Sequence, residues 1–252
     1  MFIVLHHEKA IQQFVDTYRE RPGTIGVFWG GSSCERTPEA FSDVDLFVVT
    51  EDYVPREAGM SQVYGVTLDY FVNPISRIKQ QMEQEIEAIH DYWAIKIYAF
   101  SKLLFDVDGQ ALSLQHKAQE LFDTPFPPPD SNENMTNHYF VFDSFQEYLK
   151  HRHLNLQWRM AYYACLQSIL HAVCYQEGVP FVPWLKAERL LKDEGYRTAY
   201  HLKSLPSEPF CSMFLNCLEE APAEEMQENL TKLYQLCMKG SQFDADNYHI
   251  YK

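Results

Sequence analysis

A glycine turn and three acids stand out in this chain for what they could do together. The run Val27-Phe28-Trp29-Gly30-Gly31-Ser32-Ser33 ends an apolar stretch in bare backbone and hydroxyls. Amides at such a turn can approach a ligand closely, and converging amides and hydroxyls suit phosphate oxygens. Further on the chain reads Ser42-Asp43-Val44-Asp45-Leu46-Phe47-Val48-Val49. Strand alternation sends Asp43 and Asp45 to one face and Val44 and Leu46 to the other. Carboxylates held side by side are costly without a cation between them, and Mg²⁺ takes hard oxygen ligands together with substrate phosphates. A third acid, Asp69, lies in the strand-like run Gly65-Val66-Thr67-Leu68-Asp69-Tyr70-Phe71-Val72. It falls beside the first two if the strands are neighbours. The pattern predicts a site for phosphate and a divalent metal.

Helices and strands must hold these residues in place. Thr24 to Phe28 reads as a strand, preceded by a helix from His7 to Arg19 that carries Ile11, Phe14, Val15 and Tyr18 at helical spacing. Pro22-Gly23 ends that helix. After the Asp69 strand, Asn73-Pro74-Ile75-Ser76 reads as a turn and cap ahead of a helix with Ile78, Met82, Ile86 and Ile89. His90 to Phe105 continues as an aromatic-rich segment. Leu103-Leu104-Phe105-Asp106-Val107-Asp108-Gly109 reads as a short strand entering an Asp-Gly turn, its acids structural. The Pro-rich stretch from Asp123 to Asn132 suits neither helix interior nor central strand and marks a domain boundary. Beyond it Tyr139 to His153, Leu154 to Gln176, Trp184 to Glu194 and Glu224 to Lys239 recur at i, i+3, i+4 as bundle helices do. The broadly apolar Leu154 to Gln176 is the expected central helix.

The Gly-Ser turn, the Asp-x-Asp strand and the later third carboxylate together make residues 24 to 72 resemble the polymerase-beta-like nucleotidyltransferase superfamily. With its helical second half, the chain is most similar to the antibiotic-modifying branch, the aminoglycoside and lincosamide nucleotidyltransferases. The resemblance implies an α+β fold: a small mixed sheet with flanking helices over 1–125, then an all-α helical bundle over 126–252. It implies an enzyme that moves a nucleoside monophosphate, AMP from ATP being the expected case, onto a hydroxyl of a small molecule with release of pyrophosphate. Gly30, Gly31, Ser32 and Ser33 would lie at the triphosphate, and Asp43, Asp45 and Asp69 would be Mg²⁺ ligands. Asp69 would be either the base that deprotonates the acceptor or mainly a metal ligand. In Val179-Pro180-Phe181-Val182-Pro183-Trp184-Leu185-Lys186, Lys186 resembles the lysine that a proline-preceded helix delivers to the triphosphate. A rival reading is a regulatory or antitoxin-type module of the same fold that binds or modifies a protein or RNA partner. The built-in helical half and the complete acid set favour a self-contained enzyme.

Composition narrows the partners. A chain of 252 residues with 46% hydrophobic content, 17 Phe and 16 Tyr can build a sizeable core. A formal net charge of -14 offers no broad cationic surface for a nucleic-acid backbone and favours cationic small substrates. The six cysteines form no Cys-x-x-Cys pair and read as small buried hydrophobes, with no disulfide framework. No signal peptide or membrane span is evident, so a reducing cytoplasm is the expected setting. Nothing in the pattern indicates an oligomeric state. Histidines 138, 151, 153 and 171 complete no zinc set. Arg152 and Arg159 share a helical face and are weaker candidates for the phosphate site, as Glu87, Asp91 and Glu147 are for an acceptor.

Overall fold

The computed structural model describes residues 2–31, 34, 43–151 and 155–246. The chain divides into two compact units, Met1–Pro125 and Phe126–Lys252. The first is a mixed β-sheet with helices on both faces; the second is built of helices.

The first unit opens with α1 (Phe2–Arg19), which begins five residues before the expected start at His7. It is followed by β1 (Thr24–Gly30), β2 (Val44–Thr50), β3 (Glu57–Val63) and β4 (Val66–Pro74). Next come α2 (Ile75–Gln84), a π-helical turn (Glu85–Ile89), α3 (Trp93–Phe100), β5 (Lys102–Asp106) and α4 (Gln110–Phe122). The strand order is β3-β4-β2-β1-β5. β2 and β4 are parallel, and the other three neighbouring pairs are antiparallel.

Alternation sorts the two faces of this sheet. Val27, Val44, Leu46, Val48, Val66, Leu68 and Val72 pack with Ala10, Ile11, Phe14, Val15 and Tyr18 of α1. The residues between them point the other way, where Phe28 and Phe47 meet Tyr98 of α3, and Phe47 stacks on Phe71 with centroids 5.8 Å apart. On the same side Gly26 faces Ala111 of α4. Both faces of β2 are therefore covered along most of its length, which is why it reads as nearly continuous apolar sequence.

Local chemistry explains where elements begin and end. The Asp106 carboxylate accepts from the amides of Ala111 (2.9 Å) and Leu112 (3.2 Å), so the Phe-Asp-x-Asp-Gly run is a helix cap, as its structural reading expects. The expected turn at Asn73-Pro74 is instead the end of β4. Pro74 pairs with Thr50 at the last rung, where a missing N–H is tolerated, and α2 starts at once. The Ser76 amide donates to Asp52 from the loop before β3. The π-helical turn adds a residue per turn and throws the apolar spacing out of phase, so Ile89 is exposed while Ile78, Met82 and Ile86 are buried.

In the second unit α5 (Ser131–His151) starts eight residues before the expected Tyr139. Asp130 caps it, accepting from the amides of Asn132 and Glu133, so the polar first turns are helical despite their lack of apolar spacing. α6 (Asn155–Gln176) packs against α5, α9 (Glu208–Leu218) and α10 (Ala223–Met238). The segment expected as one helix from Trp184 to Glu194 is a 3-10 turn (Trp184–Lys186) and α7 (Ala187–Lys192), and α8 (Glu194–Ala199) follows Asp193, whose carboxylate accepts from the Tyr196 amide. Tyr148, Tyr162, Phe210 and Phe214 are fully buried in one core with the α6 residues Leu166, Ile169 and Leu170. Cys165, Cys174, Cys211, Cys217 and Cys237 are buried free thiols; burial pushes Cys165 and Cys237 up to about 12 and Cys211 and Cys217 to about 11. Thiols held so far from ionisation are packing groups, not nucleophiles. Among the described residues no helix is long and apolar enough to cross a membrane.

Candidate functional site

The ladder between β1, β2 and β4 puts three of the expected residues on one line. Gly30 is the partner of Asp45 across β1 and β2, and Asp45 is the partner of Asp69 across β2 and β4. Residues in register on neighbouring strands project from one face of the sheet, and neighbouring strands lie about 4.8 Å apart. Asp45, the second residue of β2, and Asp69, the fourth of β4, are thus adjacent carboxylates on two parallel strands, both half-buried.

Asp43 stands apart from that pair. β2 opens at Val44, so Asp43 lies just before the strand and is exposed, two residues from Asp45. The structure therefore gives two acids a ladder-fixed position and leaves the third at the mouth of the strand.

Gly30 and Gly31 cannot carry side chains here. A Cβ on Gly30 would lie 2.5 Å from Ser101 Oγ and 2.9 Å from Phe47 Cε2. Gly31 has φ +73°, and a Cβ there would lie 1.9 Å from Asp45 Oδ2. The Asp45 carboxylate thus lies directly against the turn, in the space that glycine leaves open. The Gly31 carbonyl accepts from the Cys34 amide at 3.2 Å. Ser32 and Ser33, expected at the triphosphate, lie outside the described residues, as do Arg152 and His153.

Beneath the acids is a stiff apolar floor. Phe47 and Phe71, two residues on from Asp45 and Asp69, are themselves in register, stacked at an interplanar angle of 13°. Tyr98 closes on Phe28 and Phe47 from α3, and Ser101 follows that helix to meet Gly30. The start of α3 is fixed by Glu85 from the π-helical turn, whose two carboxylate oxygens accept from the amides of Ala94 (2.7 Å) and Ile95 (3.0 Å). Burial raises the Glu85 carboxyl from 4.5 to about 7, against the lowering pull of those two amides. Asp91, whose burial also raises its carboxyl, adds to the upward push on Glu85.

Sequence reasoning passed over Glu85 and Ser101. Glu85 sits inside an otherwise ordinary helical pattern, where a charged residue reads as a solvated face. Its one local signal is the apolar company of Ile86 and Met82.

The hard oxygen donors of Asp45 and Asp69 suit Mg²⁺, which commonly takes one or two carboxylates and completes its shell with water and substrate phosphate. Among the described residues no three His, Cys, Asp or Glu side chains gather to hold a metal by themselves. The residues fit a metal that arrives with phosphate, and they do not form a closed all-protein cage.

In the second unit Lys186 is exposed at the end of the 3-10 turn, its Nζ 4.6 Å from the centroid of the Tyr200 ring. Its amide donates to the Pro183 carbonyl, which closes the turn. Arg159 is exposed. Glu147 pairs with Lys150 and His151 on its own helix. The ring nitrogens of buried His138 lie 2.7 Å from the Asn134 carbonyl and 3.3 Å from the Cys237 carbonyl, which makes it a core histidine.

No protein-family model matches the chain, and no curated protein matches it. Among solved structures the chain is similar to the crystal structure of a nucleotidyltransferase-like protein from Exiguobacterium sibiricum 255-15. The two share 15% identity over 92% of this chain and 75% of that chain, with a TM-score of 0.42. A likeness that slight does not establish a family.

Proposed function

We propose that this protein is a Mg²⁺-dependent nucleotidyltransferase that moves AMP from ATP onto a hydroxyl of a small molecule and releases pyrophosphate. The observation that supports it most is the register of Gly30, Asp45 and Asp69, which sets a phosphate-compatible turn beside two aligned carboxylates on one face. Antibiotics of the aminoglycoside or lincosamide kind are the acceptors suggested by the pairing of a small catalytic domain with a helical second half, which resembles the antibiotic-modifying branch.

In this reading the bare backbone at Gly30 and Gly31, with Ser32 and Ser33, receives the triphosphate. Asp45 and Asp69 are the residues that would hold the metal, with Asp43 at the mouth of β2 as the third acid of the proposed set. Bound there, Mg²⁺ would neutralise charge on the phosphates during transfer. The acceptor oxygen bonds to the α-phosphorus while the bond from that phosphorus to the bridging oxygen of the β-phosphate breaks. Asp69 takes the hydroxyl proton and later yields it to solvent, and pyrophosphate departs with the electron pair of the broken bond. Most of the catalysis is positioning and charge neutralisation, which a rigid sheet floor serves. With a net charge of -14, a nucleic acid is a poor acceptor for this chain.

The test is binding of a fluorescent ATP analogue with and without Mg²⁺. Affinity should rise with Mg²⁺ in the native protein and lose that dependence when Asp43 and Asp45 are both changed to Asn. Unchanged metal dependence in the double variant would refute the site.

A further inference from the structure

The line that joins Gly30, Asp45 and Asp69 continues one strand further. Met60 on the edge strand β3 is the partner of Asp69, and it is 76% exposed. Opposed residues of an antiparallel pair share a face, so Met60 projects beside Asp69 on the side away from Gly30. Across three inter-strand steps, Gly30 to Met60 spans roughly 14 Å.

A single exposed methionine is ordinary on a protein surface. The surroundings of this one are not. On its face of β3 its neighbours are Ala58 and Gln62, and across on β4 lie Thr67, Asp69 and Phe71. Gln62 donates to the Thr67 hydroxyl at 2.6 Å, so those two polar groups are already engaged with each other. Among the described residues between Ala58 and Gln62 on this face, the charge is Asp69, flanked by the exposed Met60, while the Arg56 guanidinium lies further along and donates to Asn73.

In-line transfer puts the attacking oxygen and the leaving pyrophosphate on opposite sides of the α-phosphorus. With the triphosphate at the Gly30 end, the acceptor approaches from the Met60 end. We propose that Met60 is a specificity-determining contact for the acceptor, and that the acceptor is a neutral alcohol with an aliphatic, aromatic or thioether group next to its reacting hydroxyl. This rests on the nucleotidyltransferase reading above. Methionine is flexible and polarizable, which suits an apolar ligand surface. A polyammonium sugar would set desolvated charge against Met60, and with the site acids engaged by metal the aminoglycosides are the disfavoured ones among the acceptors named above.

The experiment uses the full chain labelled with ¹³C at the methionine methyls, the Met60 signal being assigned by Met60→Leu. Mg²⁺ and α,β-methylene-ATP are added, then neutral probes with an apolar flank (phenyl β-glucoside, phenyl 1-thio-β-glucoside) or polyammonium probes (kanamycin, neamine). Lincomycin is left out because its tertiary amine is cationic. The neutral probes should shift the Met60 signal only when nucleotide is present, and Met60→Gln should weaken them about tenfold while nucleotide affinity holds. A shift produced equally or solely by the polyammonium probes, no shift with any probe, or unchanged probe affinity in Met60→Gln overturns the proposal. Failure of the underlying reading looks different: nucleotide binding would then be indifferent to Mg²⁺ and to Asp45→Asn.

Discussion

Replacing Gly31 by alanine should damage the site through Asp45, and the size of the effect can be worked from two separable causes. The first is conformational: at φ +73° an alanine occupies the left-handed region, which costs about 1–2 kcal/mol. The second is steric: the new methyl would lie 1.9 Å from Asp45 Oδ2 and 2.9 Å from its Cγ, so the carboxylate must rotate away or the turn must shift. Forced rearrangements of this kind cost about 1–3 kcal/mol. In an Asp45→Ala background only the 3.2 Å contact with the β-carbon of residue 45 remains, and the steric part should largely vanish. A double-mutant cycle should therefore give a coupling of about 1–3 kcal/mol, with Gly31→Ala costing about 1–2 kcal/mol once the carboxylate is gone. Amide hydrogen exchange in β2 is the suitable assay because it reads the opening of the first unit alone. Costs that add to within about 0.5 kcal/mol would refute the claim that Asp45 packs against the turn. In parallel, Gly31→Ala should weaken Mg²⁺-dependent nucleotide binding as severely as Asp45→Asn does.

Other expectations follow from the same geometry. Because Glu85 titrates near 7 in the folded chain and near 4.5 unfolded, the stability it confers is complete below pH 4.5 and is lost as pH rises through 7. The first unit should lose on the order of 3 kcal/mol across that window, and amide exchange in α3 should show this slope flattened in Glu85→Gln. Phe47→Ala should cost about 3–5 kcal/mol and unseat both acids, because its ring supports Phe71 and Tyr98; denaturant midpoints and nucleotide binding should fall together. Tyr162→Phe should cost about 1 kcal/mol in the second unit by orphaning the Cys217 carbonyl, which its hydroxyl meets at 2.8 Å, and should leave nucleotide affinity unchanged.

The strands that carry the acids were legible because charge embedded in β-branched, apolar sequence is a strong local signal, and β2 and β4 both carry it. What the residues could not disclose was register. Nothing in the string says that Asp45 faces Asp69 and not Thr67, since pairing is decided by the β3–β4 hairpin and the ladder as a whole. β3 itself, Glu-Ala-Gly-Met-Ser-Gln-Val, went unread because an edge strand with one half-buried and one exposed face needs few β-formers. α3, Trp-Ala-Ile-Lys-Ile-Tyr-Ala-Phe, is apolar almost all round and so has no periodicity to betray a helix. Likewise the start of α5 depends on the cap at Asp130, which sits in a stretch that reads as proline-rich connector. The glycine pair was visible from the start, but its tight fit against Asp45 and Ser101 is a fact of three dimensions.

All the pairings that align Gly30, Asp45, Asp69 and Met60 are made within residues 24–74, whereas β5 joins β1 from residues 102–106. Chain closures over such short spans are entropically inexpensive, so the aligned strands can assemble first and the fifth strand can dock afterwards. The order of events in folding then mirrors the division of labour: the reactive residues are gathered by local ladders, and the distant strand serves to seal their sheet. Weakening β5 should accordingly hasten unfolding with little change in the rate at which the acid line forms.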